Sequence, residues 1–313
     1  MSKFINAPLM VSGAAGKLGR LVVEDLLARG ATRIIAGTRD PAQLQDLAAR
    51  GVEPRRVDFD DPASLGDAFA GVERLLIIST DAVGRRIAQH RAAVEAAQAA
   101  GIKHIIYTSG PAVRPHDVVL YSEHFWTEVA IAQSGLDFTI LRNHIYAENN
   151  LMDGPQAISS GQLFGLIGDR GTAWVTRADT ARTAAGALLA AEGQAIEDVT
   201  GPAAVTNVER AALFSQLSGK PVSVVALTPA DLVSGMVAAG LAEDLPMPSS
   251  PSSATPSPVT TPWLRTPSSA IPAASRHRLP TSSPQTGARS DSESGCTAPS
   301  SPSPVRGGIK GRR

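Results

Sequence analysis

Short apolar runs alternate with helical stretches through the first 245 residues of this 313-residue chain. The runs are apolar on both faces, which is typical of parallel strands covered by helices on the two sides of a sheet. We therefore predict an α/β fold with a doubly wound parallel sheet, Rossmann-like, whose ligands bind at the carboxyl ends of the strands. The predicted strands lie at 8–13, 33–37, 55–59, 74–79, 104–109 and 137–141, and the helices at 17–29, 41–50, 62–70, 84–100 and 121–134.

The stretch "VSGAAGKLGR" (11–20) joins the first predicted strand to the first helix. Here Gly13 would permit a tight turn, Gly16 would let the backbone approach a pyrophosphate, and Gly19 would let helix and strand pack closely. Free amides at the helix N-terminus would donate to the phosphates. The alternative is a turn that only lets a strand meet a helix. The predicted dinucleotide site runs through the whole loop: Gly13, Ala14, Ala15, Gly16, Lys17, Leu18 and Gly19.

The end of the second strand, "AGTRD", indicates which dinucleotide is bound. An NAD site normally places an acid here, whereas an NADP site needs a cation for the 2′-phosphate. Ala36 to Thr38 carry no acid and Arg39 follows, so we predict NADP (NADPH) as the cofactor. Asp40 could instead pair with Arg39, or it could cap the helix that Pro41 opens. Lys17 could add a phosphate contact or could simply be exposed.

Further cofactor contacts are expected after strands three and four. Asp58 and Phe59 follow the third strand, where an acid and a ring suit the adenine amine and face. The alternative is that the acids from Asp58 to Asp61 only cap the next helix. The residues after the fourth strand are expected to border the nicotinamide half, and they are Ser79, Thr80 and Asp81.

No side-chain pair in the sequence is suited to protonating an alkoxide. Short-chain reductases commonly use a Tyr with a Lys four residues on, but the three tyrosines are followed at that distance by Pro111, Phe125 and Asn150. This absence weakens the case for a carbonyl reductase. A quinone acceptor fits better, because hydride addition gives a stabilised phenolate that can take its proton from water.

The last 68 residues differ in composition from the rest. From Pro246 to Arg313 the chain holds thirteen of its 23 prolines, sixteen serines and no apolar periodicity, which predicts a disordered tail. The switch after "GLAEDLP" is abrupt, and its residue types dominate shifted reading frames of GC-rich genes, so we hypothesise a frameshift product. The predicted domains are therefore 1–150 for NADP, 151–245 as a small substrate-covering region, and 246–313 as the tail. Within the small region, 201–228 predicts a helix followed by a strand.

Charge and cysteine content narrow the partners and the compartment. The tail carries eight Lys and Arg against two Asp and Glu, which leaves 21 basic and 27 acidic residues in the body. An acidic body is a poor match for nucleic-acid phosphates. The single Cys296 cannot form an internal disulfide, and no apolar stretch approaches the ~20 residues that cross a bilayer. We expect a cytoplasmic protein that binds neither nucleic acid nor membrane.

Six histidines are scattered without metal spacing, so no metal site is predicted. His90 and His124 fall on helices, and lone histidines of this kind are expected to be capped or surface residues. Of the six, His144 alone lies near the predicted site. No catalytic residue could be assigned from the sequence.

Several blocks resemble one known family. "VSGAAGKLGR", "GTRDPAQLQDLAARGVEPRRVDFDDPASL", "GVERLLIIST", "VGRRIAQHRAAVEAAQAAGIKHIIYTS" and "LRNHIYAENN" look like the NmrA-like branch of atypical short-chain dehydrogenases, most closely the bacterial type 2 NAD(P)H quinone oxidoreductases. The resemblance extends over roughly residues 8–245. It implies that Asn143 joins the residues around the cofactor and that Val175 to Thr180 lie near the site. The candidates for the substrate region are His144, Tyr146, Trp174, Thr176 and Arg177.

Two features depart from the family pattern. "HFWTEV" places Val129 where relatives commonly have a Lys near the nicotinamide or its ribose, and the Pro and Ser tail replaces ordered structure. Two functions remain open at this point. The first is an NADPH-dependent quinone reductase with a small-molecule acceptor, and the second is a non-catalytic NADP-binding redox sensor that acts through a protein partner. Assembly as a homodimer is also left open.

Overall fold

A computed structural model of the protein describes residues 2–111, 115, 119–166, 170–228, 230–231 and 234–235. Its strands are β1 (Leu9–Val11), β2 (Ile34–Thr38), β3 (Glu53–Arg56), β4 (Arg74–Ile77), β5 (His104–Ser109), β6 (Asp137–Asn143), β7 (Gln162–Leu166), β8 (Gln194–Val199) and β9 (Ser223–Leu227). Its α-helices are α1 (Lys17–Ala28), α2 (Gln45–Ala48), α3 (Leu65–Ala68), α4 (Arg86–Ala99), α5 (Val119–Gln133), α6 (Asn150–Ser160), α7 (Arg177–Ala190) and α8 (Asn207–Ser218). The predicted tail lies outside the described residues.

Seven parallel strands form the main sheet in the order β3-β2-β1-β4-β5-β6-β8. The order reverses at β1, which pairs with β2 on one side and β4 on the other. A reversal of this kind opens a crevice at the carboxyl ends of the strands. The topology confirms the predicted doubly wound sheet.

The edge strand β3 departs from its predicted position. The apolar run was expected at 55–59, but the paired residues are Glu53 to Arg56 and their side chains are half-buried or exposed. An edge strand has a neighbour on one side alone, so its pairing does not require apolar side chains. Val57 and Phe59 enter the core just after the strand ends. The two short helical segments at 41–48 and 62–68 each begin as a 3₁₀ turn opened by proline.

Separate apolar layers cover the two faces of the sheet. On one face α1 packs against α7, with Val22 and Leu26 meeting Ala184 and Leu188 in one cluster. The opposite cluster holds residues of α3, α4 and α5, with Phe69 fully buried at its centre. Because the two layers bury the central strands β1, β2, β4 and β5 throughout, the middle of the sheet is a rigid base for the loops at its carboxyl edge.

Arg74 on β4 is buried at the amino edge of the sheet and ties it to α7. Its guanidinium donates to the carbonyls of Leu188 (2.7 Å), Ala187 (3.0 Å) and Ala191 (2.7 Å), at the C-terminal end of that helix. Its carbon Cζ also lies 4.0 Å from the centre of the Phe4 ring. Burial lowers the pKa of Arg74 to about 10, so the side chain remains charged at neutral pH. A cation suits this place because the last carbonyls of a helix are negative.

A second, two-stranded parallel sheet pairs β7 with β9 and packs with α6 and α8. The helix and strand predicted within 201–228 are confirmed as α8 and β9. Residues 177–199 lie outside this small sheet, because α7 and β8 belong to the main sheet and its cover. The domain boundary at residue 150 stays a prediction.

None of the helices in the described ranges is long and apolar enough to cross a membrane.

Candidate functional site

The loop between β1 and α1 has the backbone geometry that its three glycines predict. Gly13 adopts φ +63°, a left-handed conformation that strongly favours glycine. A Cβ on Gly19 would lie 2.3 Å from the carbonyl oxygen of Gly13, so any larger residue there would displace the loop. A Cβ on Gly16 would meet the same oxygen at 3.2 Å. The first amides of α1 have no intrahelical acceptor and therefore remain free to bind an anion.

A cavity of about 470 Å³ lies above this loop, at the carboxyl ends of β1 to β4. Nine of the predicted cofactor residues line it: Gly13, Ala15, Gly16, Arg39, Asp58, Phe59, Ser79, Thr80 and Asp81. Leu18 and Gly19 are buried beneath the loop, and Ala14 is fixed there by its amide, which donates to the Gly37 carbonyl. The Lys17 side chain is exposed and has no polar partner within the described ranges.

Arg39 and Asp40 have separate roles in this cavity. The carboxylate of Asp40 caps the turn that follows, accepting from the Ala42 amide at 3.1 Å and from the Gln43 side chain at 3.2 Å. Of the two alternatives for Asp40, pairing with Arg39 or capping the helix that Pro41 opens, the structure shows the cap. Arg39 is exposed and forms no hydrogen bond or ion pair with any residue that the structure describes. Its guanidinium is available to a phosphate.

Asp58 lines the cavity and also supports its own turn. Its carboxylate accepts from Arg56 at 3.1 Å and from the Asp60 amide at 3.1 Å. The ring of Phe59 is mostly buried and meets the imidazole of His90 edge-on, with 6.3 Å between the ring centres. Both side chains therefore have structural contacts, which leave their roles toward adenine as predictions.

Three side chains of α4 hold the loop after β4. The amide of Thr80 donates to Nε2 of His90 at 3.2 Å, and its hydroxyl donates to Gln89 at 2.7 Å. Its carbonyl accepts from Nε of Arg86 at 2.7 Å. These residues stand at i, i+3 and i+4, on one face of the helix. The sequence reasoning missed them, although their spacing in "RIAQH" was a usable signal.

Beneath this loop lies a buried polar group that the sequence reasoning also missed. The hydroxyl of Tyr107 lies 2.7 Å from Nδ1 of His124, and Nδ1 of His90 lies 3.0 Å from Thr127. Burial lowers the pKa of His90 to about 3, helped by the Arg86 charge and by His124, and burial lowers the pKa of His124 to about 4. Both are therefore neutral at pH 7. The expectation that these two histidines are capped or surface residues is wrong, because tertiary packing encloses both of them.

Asn143, at the carboxyl end of β6, has a buried carboxamide that makes no standard hydrogen bond with the described residues, although it is close enough to the Tyr146 phenol to lower the pKa of that group. Its side chain is 6 % exposed, and neither Oδ1 nor Nδ2 has a hydrogen-bond partner in the described part of the chain. An unpaired buried amide costs about 1–3 kcal/mol, so a ligand that bonds to it would recover that energy.

The residue before Val129 has a structural role. Glu128 forms two hydrogen bonds with Arg142, at 3.1 and 2.6 Å, and accepts from Ser109 at 2.6 Å. These contacts join α5 to the ends of β5 and β6. The bonded carboxylate in turn raises the pKa of Arg142.

The candidates for the substrate region separate into two kinds. Tyr146 and Arg177 come together, with the guanidinium carbon 4.9 Å from the ring centre, and burial raises the pKa of the Tyr146 phenol. Thr176 instead caps α7, accepting from the Asp179 amide at 3.0 Å. His144 is half-buried, and its amide donates to the Val199 carbonyl.

Trp174 packs against the small sheet's helix α8. The guanidinium of Arg210 lies 4.7 Å from its ring centre and also binds Asn150 and Asp153 of α6. The indole N–H of Trp174 is buried without a partner among the described residues. No group of three His, Cys, Asp or Glu in that part of the chain could hold a metal ion.

Comparison with known proteins gives consistent results. A family model described as NAD(P)H-binding matches residues 13–191. Quinone oxidoreductase 2 of Escherichia coli (strain K12) is 40% identical over 240 residues, which is 76% of this chain and 84% of that protein. An NAD(P)H azoreductase of Xenophilus azovorans is 30% identical over 240 residues, covering 76% and 83%. The crystal structure of the Escherichia coli NADPH-dependent quinone oxidoreductase with NADPH superposes with a TM-score of 0.69 at 39% identity, over 74% of this chain and 83% of that one.

Proposed function

This chain belongs to the NAD(P)H-binding family, and on that premise we propose that it is an oxidoreductase that transfers hydride from NADPH to a quinone-like acceptor. The family model begins at Gly13 in the glycine loop and spans strands β2 to β7 and helix α7. Two similar proteins are named as a quinone oxidoreductase and an NAD(P)H azoreductase, and the similar crystal structure is that of an NADPH-dependent quinone oxidoreductase. Both relatives are covered over more than four fifths of their length.

The observation that carries the proposal is that Arg39, which has no partner among the described residues, lines one cavity together with the glycine loop. The loop amides can bind a diphosphate, and the guanidinium can bind a 2′-phosphate through charge-assisted hydrogen bonds. Asp40 does not compete for Arg39, because its two oxygens accept from the turn that it caps. The residues therefore fit NADPH better than NADH.

Asn143 lies at the carboxyl end of β6 and is not among the residues that line this cavity, but its side chain is a second candidate contact for the cofactor. Its unsatisfied carboxamide offers one donor and one acceptor that a bound amide or hydroxyl could pair with. Tyr146 packs against the core cluster on the α1 and α7 side of the sheet, which includes Ala14 and Val175. These residues bind and orient, while bound NADPH supplies the hydride.

The acceptor class follows from the missing proton donor. The chain has no Tyr with a Lys four residues on, and burial raises the pKa of the Tyr107 and Tyr146 phenols, which disfavours proton release. A quinone needs no tuned acid, because its reduced form takes protons from water. Placing the two rings in contact in a site that excludes water would then be the main catalytic contribution.

Following NADPH absorbance with a simple benzoquinone tests the proposal. We expect consumption that saturates with both substrates and is slower with NADH. Measurable NADPH binding without consumption above the uncatalysed rate would reject the enzyme and favour the sensor function. For variants of Arg39, the matched control is Arg91→Met. This substitution also removes an exposed arginine, but one on α4 that pairs with Glu95.

A further inference from the structure

We propose that His90 is a positioning residue that fixes the loop after β4 through a single neutral tautomer, and so shapes the cofactor cavity. The effect on catalysis rests on the proposed function, whereas the effect on the loop does not. His90 is fully buried, whereas the loop that it contacts lines the cavity through Ser79, Thr80 and Asp81. The imidazole therefore supports residues that line the cavity but does not line the cavity itself.

The hydrogen bonds around His90 are consistent with one tautomer. The Thr80 amide is a donor at 3.2 Å from Nε2, so Nε2 must carry the lone pair. On the other side Thr127 donates its own hydroxyl proton to the Glu123 carbonyl at 2.9 Å. Its oxygen is then the acceptor for Nδ1–H of His90 at 3.0 Å. The Tyr107 hydroxyl, 3.4 Å from Nδ1, is a second and longer contact of the same nitrogen.

The imidazole is also held on its faces and edges. The centre of the Tyr107 ring lies 5.4 Å from the centre of the imidazole, with 73° between the ring planes. The centre of the Phe59 ring lies 6.3 Å away, with 89° between the planes. Since Phe59 itself lines the cavity, His90 contacts two of the segments that form the site. A protonated ring would lose its acceptor atom, and the nearby Arg86 charge opposes protonation.

The other hydrogen bonds of the loop after β4 do not replace the bond between the Thr80 amide and His90. Gln89 holds the Thr80 hydroxyl and also donates to Asp60 at 2.8 Å, while Arg86 holds the Thr80 carbonyl. Farther along the loop, the Gly84 amide donates to Glu123 at 2.9 Å. Of these contacts, His90 alone holds the amide of Thr80. Loss of that bond would free the peptide plane between Ser79 and Thr80 to rotate.

The first test reads the tautomer of His90 in the unsubstituted protein. In protein labelled with ¹⁵N-histidine, the shifts of His90 should report an Nδ1–H tautomer at neutral pH, with the signal identified by its absence from His90→Gln. An Nε2–H tautomer or an imidazolium would overturn the inference, because neither can accept from the Thr80 amide.

Two substitutions at His90 then separate its bonds. Gln can place an oxygen near the position of Nε2, whereas Asn reaches only the position of Nδ1. We expect His90→Asn to speed exchange of the Thr80 amide about tenfold in cofactor-free protein, and His90→Gln to stay within about twofold of wild type. We also expect about tenfold weaker NADPH binding for Asn alone. Equal exchange and equal binding in both variants would show that His90 only fills space.

A variant outside the loop guards against misfolding at position 90. Thr127→Val keeps the shape but removes the acceptor for Nδ1–H, so the Nε2–H tautomer should gain population and Thr80 exchange should rise. An unchanged tautomer and unchanged exchange would contradict the proposal. These readouts use cofactor-free protein, so they stand even if wild-type protein fails to reduce quinones, a result that would reject the proposed function instead.

Discussion

Replacing Arg39 should change cofactor choice without changing the fold. The guanidinium is exposed and forms no bond with the described residues, so its loss removes no native contact. A charge-assisted hydrogen bond contributes ~1.5–3 kcal/mol, and exposure to solvent places Arg39 at the lower end of that range. We therefore expect Arg39→Met to weaken NADPH binding about tenfold and to leave NADH binding nearly unchanged.

Arg39→Glu should weaken NADPH further, because a carboxylate would face the 2′-phosphate. Asp40→Asn makes the opposite change, since Asn retains the cap and removes a negative charge. We expect Asp40→Asn to bind NADPH a few fold more tightly than wild type. Calorimetry with each nucleotide, at low salt and again at high salt, measures these differences, and Arg91→Met serves as the control. Equal losses for NADPH and NADH in Arg39→Glu would refute the assignment of the 2′-phosphate to Arg39.

Three further predictions concern the loop, the core and pH. Gly19→Ala should abolish nucleotide binding in calorimetry, because its Cβ would lie 2.3 Å from the Gly13 carbonyl; wild-type binding would contradict this. Arg74→Met should lower stability by roughly 3 kcal/mol, read as a fall in Tm of about 6–12 °C, since three carbonyls lose a buried donor. His90 has a folded pKa of about 3 against 6.5, so its contribution is complete above pH 6.5 and is lost as pH falls toward 3. Urea unfolding should show stability decreasing by about 1.4 kcal/mol per pH unit from His90 in that window, and a smaller slope in His90→Gln; identical slopes would contradict it.

Local chemistry accounts for the parts of the site that could be predicted. Gly13 needs a left-handed backbone and Gly19 needs a position without Cβ, and both demands follow from a strand that turns directly into a helix. The cap by Asp40 likewise involves residues within three positions. Such features depend on neighbours in the chain, so a single sequence carries them.

The missed residues depend on segments far apart in the chain. His90 looked like a lone helical histidine, but its two ring nitrogens meet Thr80 and Thr127, which lie ten residues before it and 37 residues after it. Helical periodicity cannot tell which loop the polar face of α4 will meet. The same limit applied to β3, whose edge position, and not its composition, set where the strand pairs.

The sequence by itself determined the alternation of strands and helices, the turn at Gly13 and the presence of a cation after β2. Only the tertiary structure decided that Arg39 and the buried Asn143 carboxamide form no hydrogen bond with the described residues, and that one face of α4 holds Thr80. The physical reason is range: backbone conformation and capping are set within a few residues, whereas burial and the pairing of polar groups are set by which elements the sheet brings together.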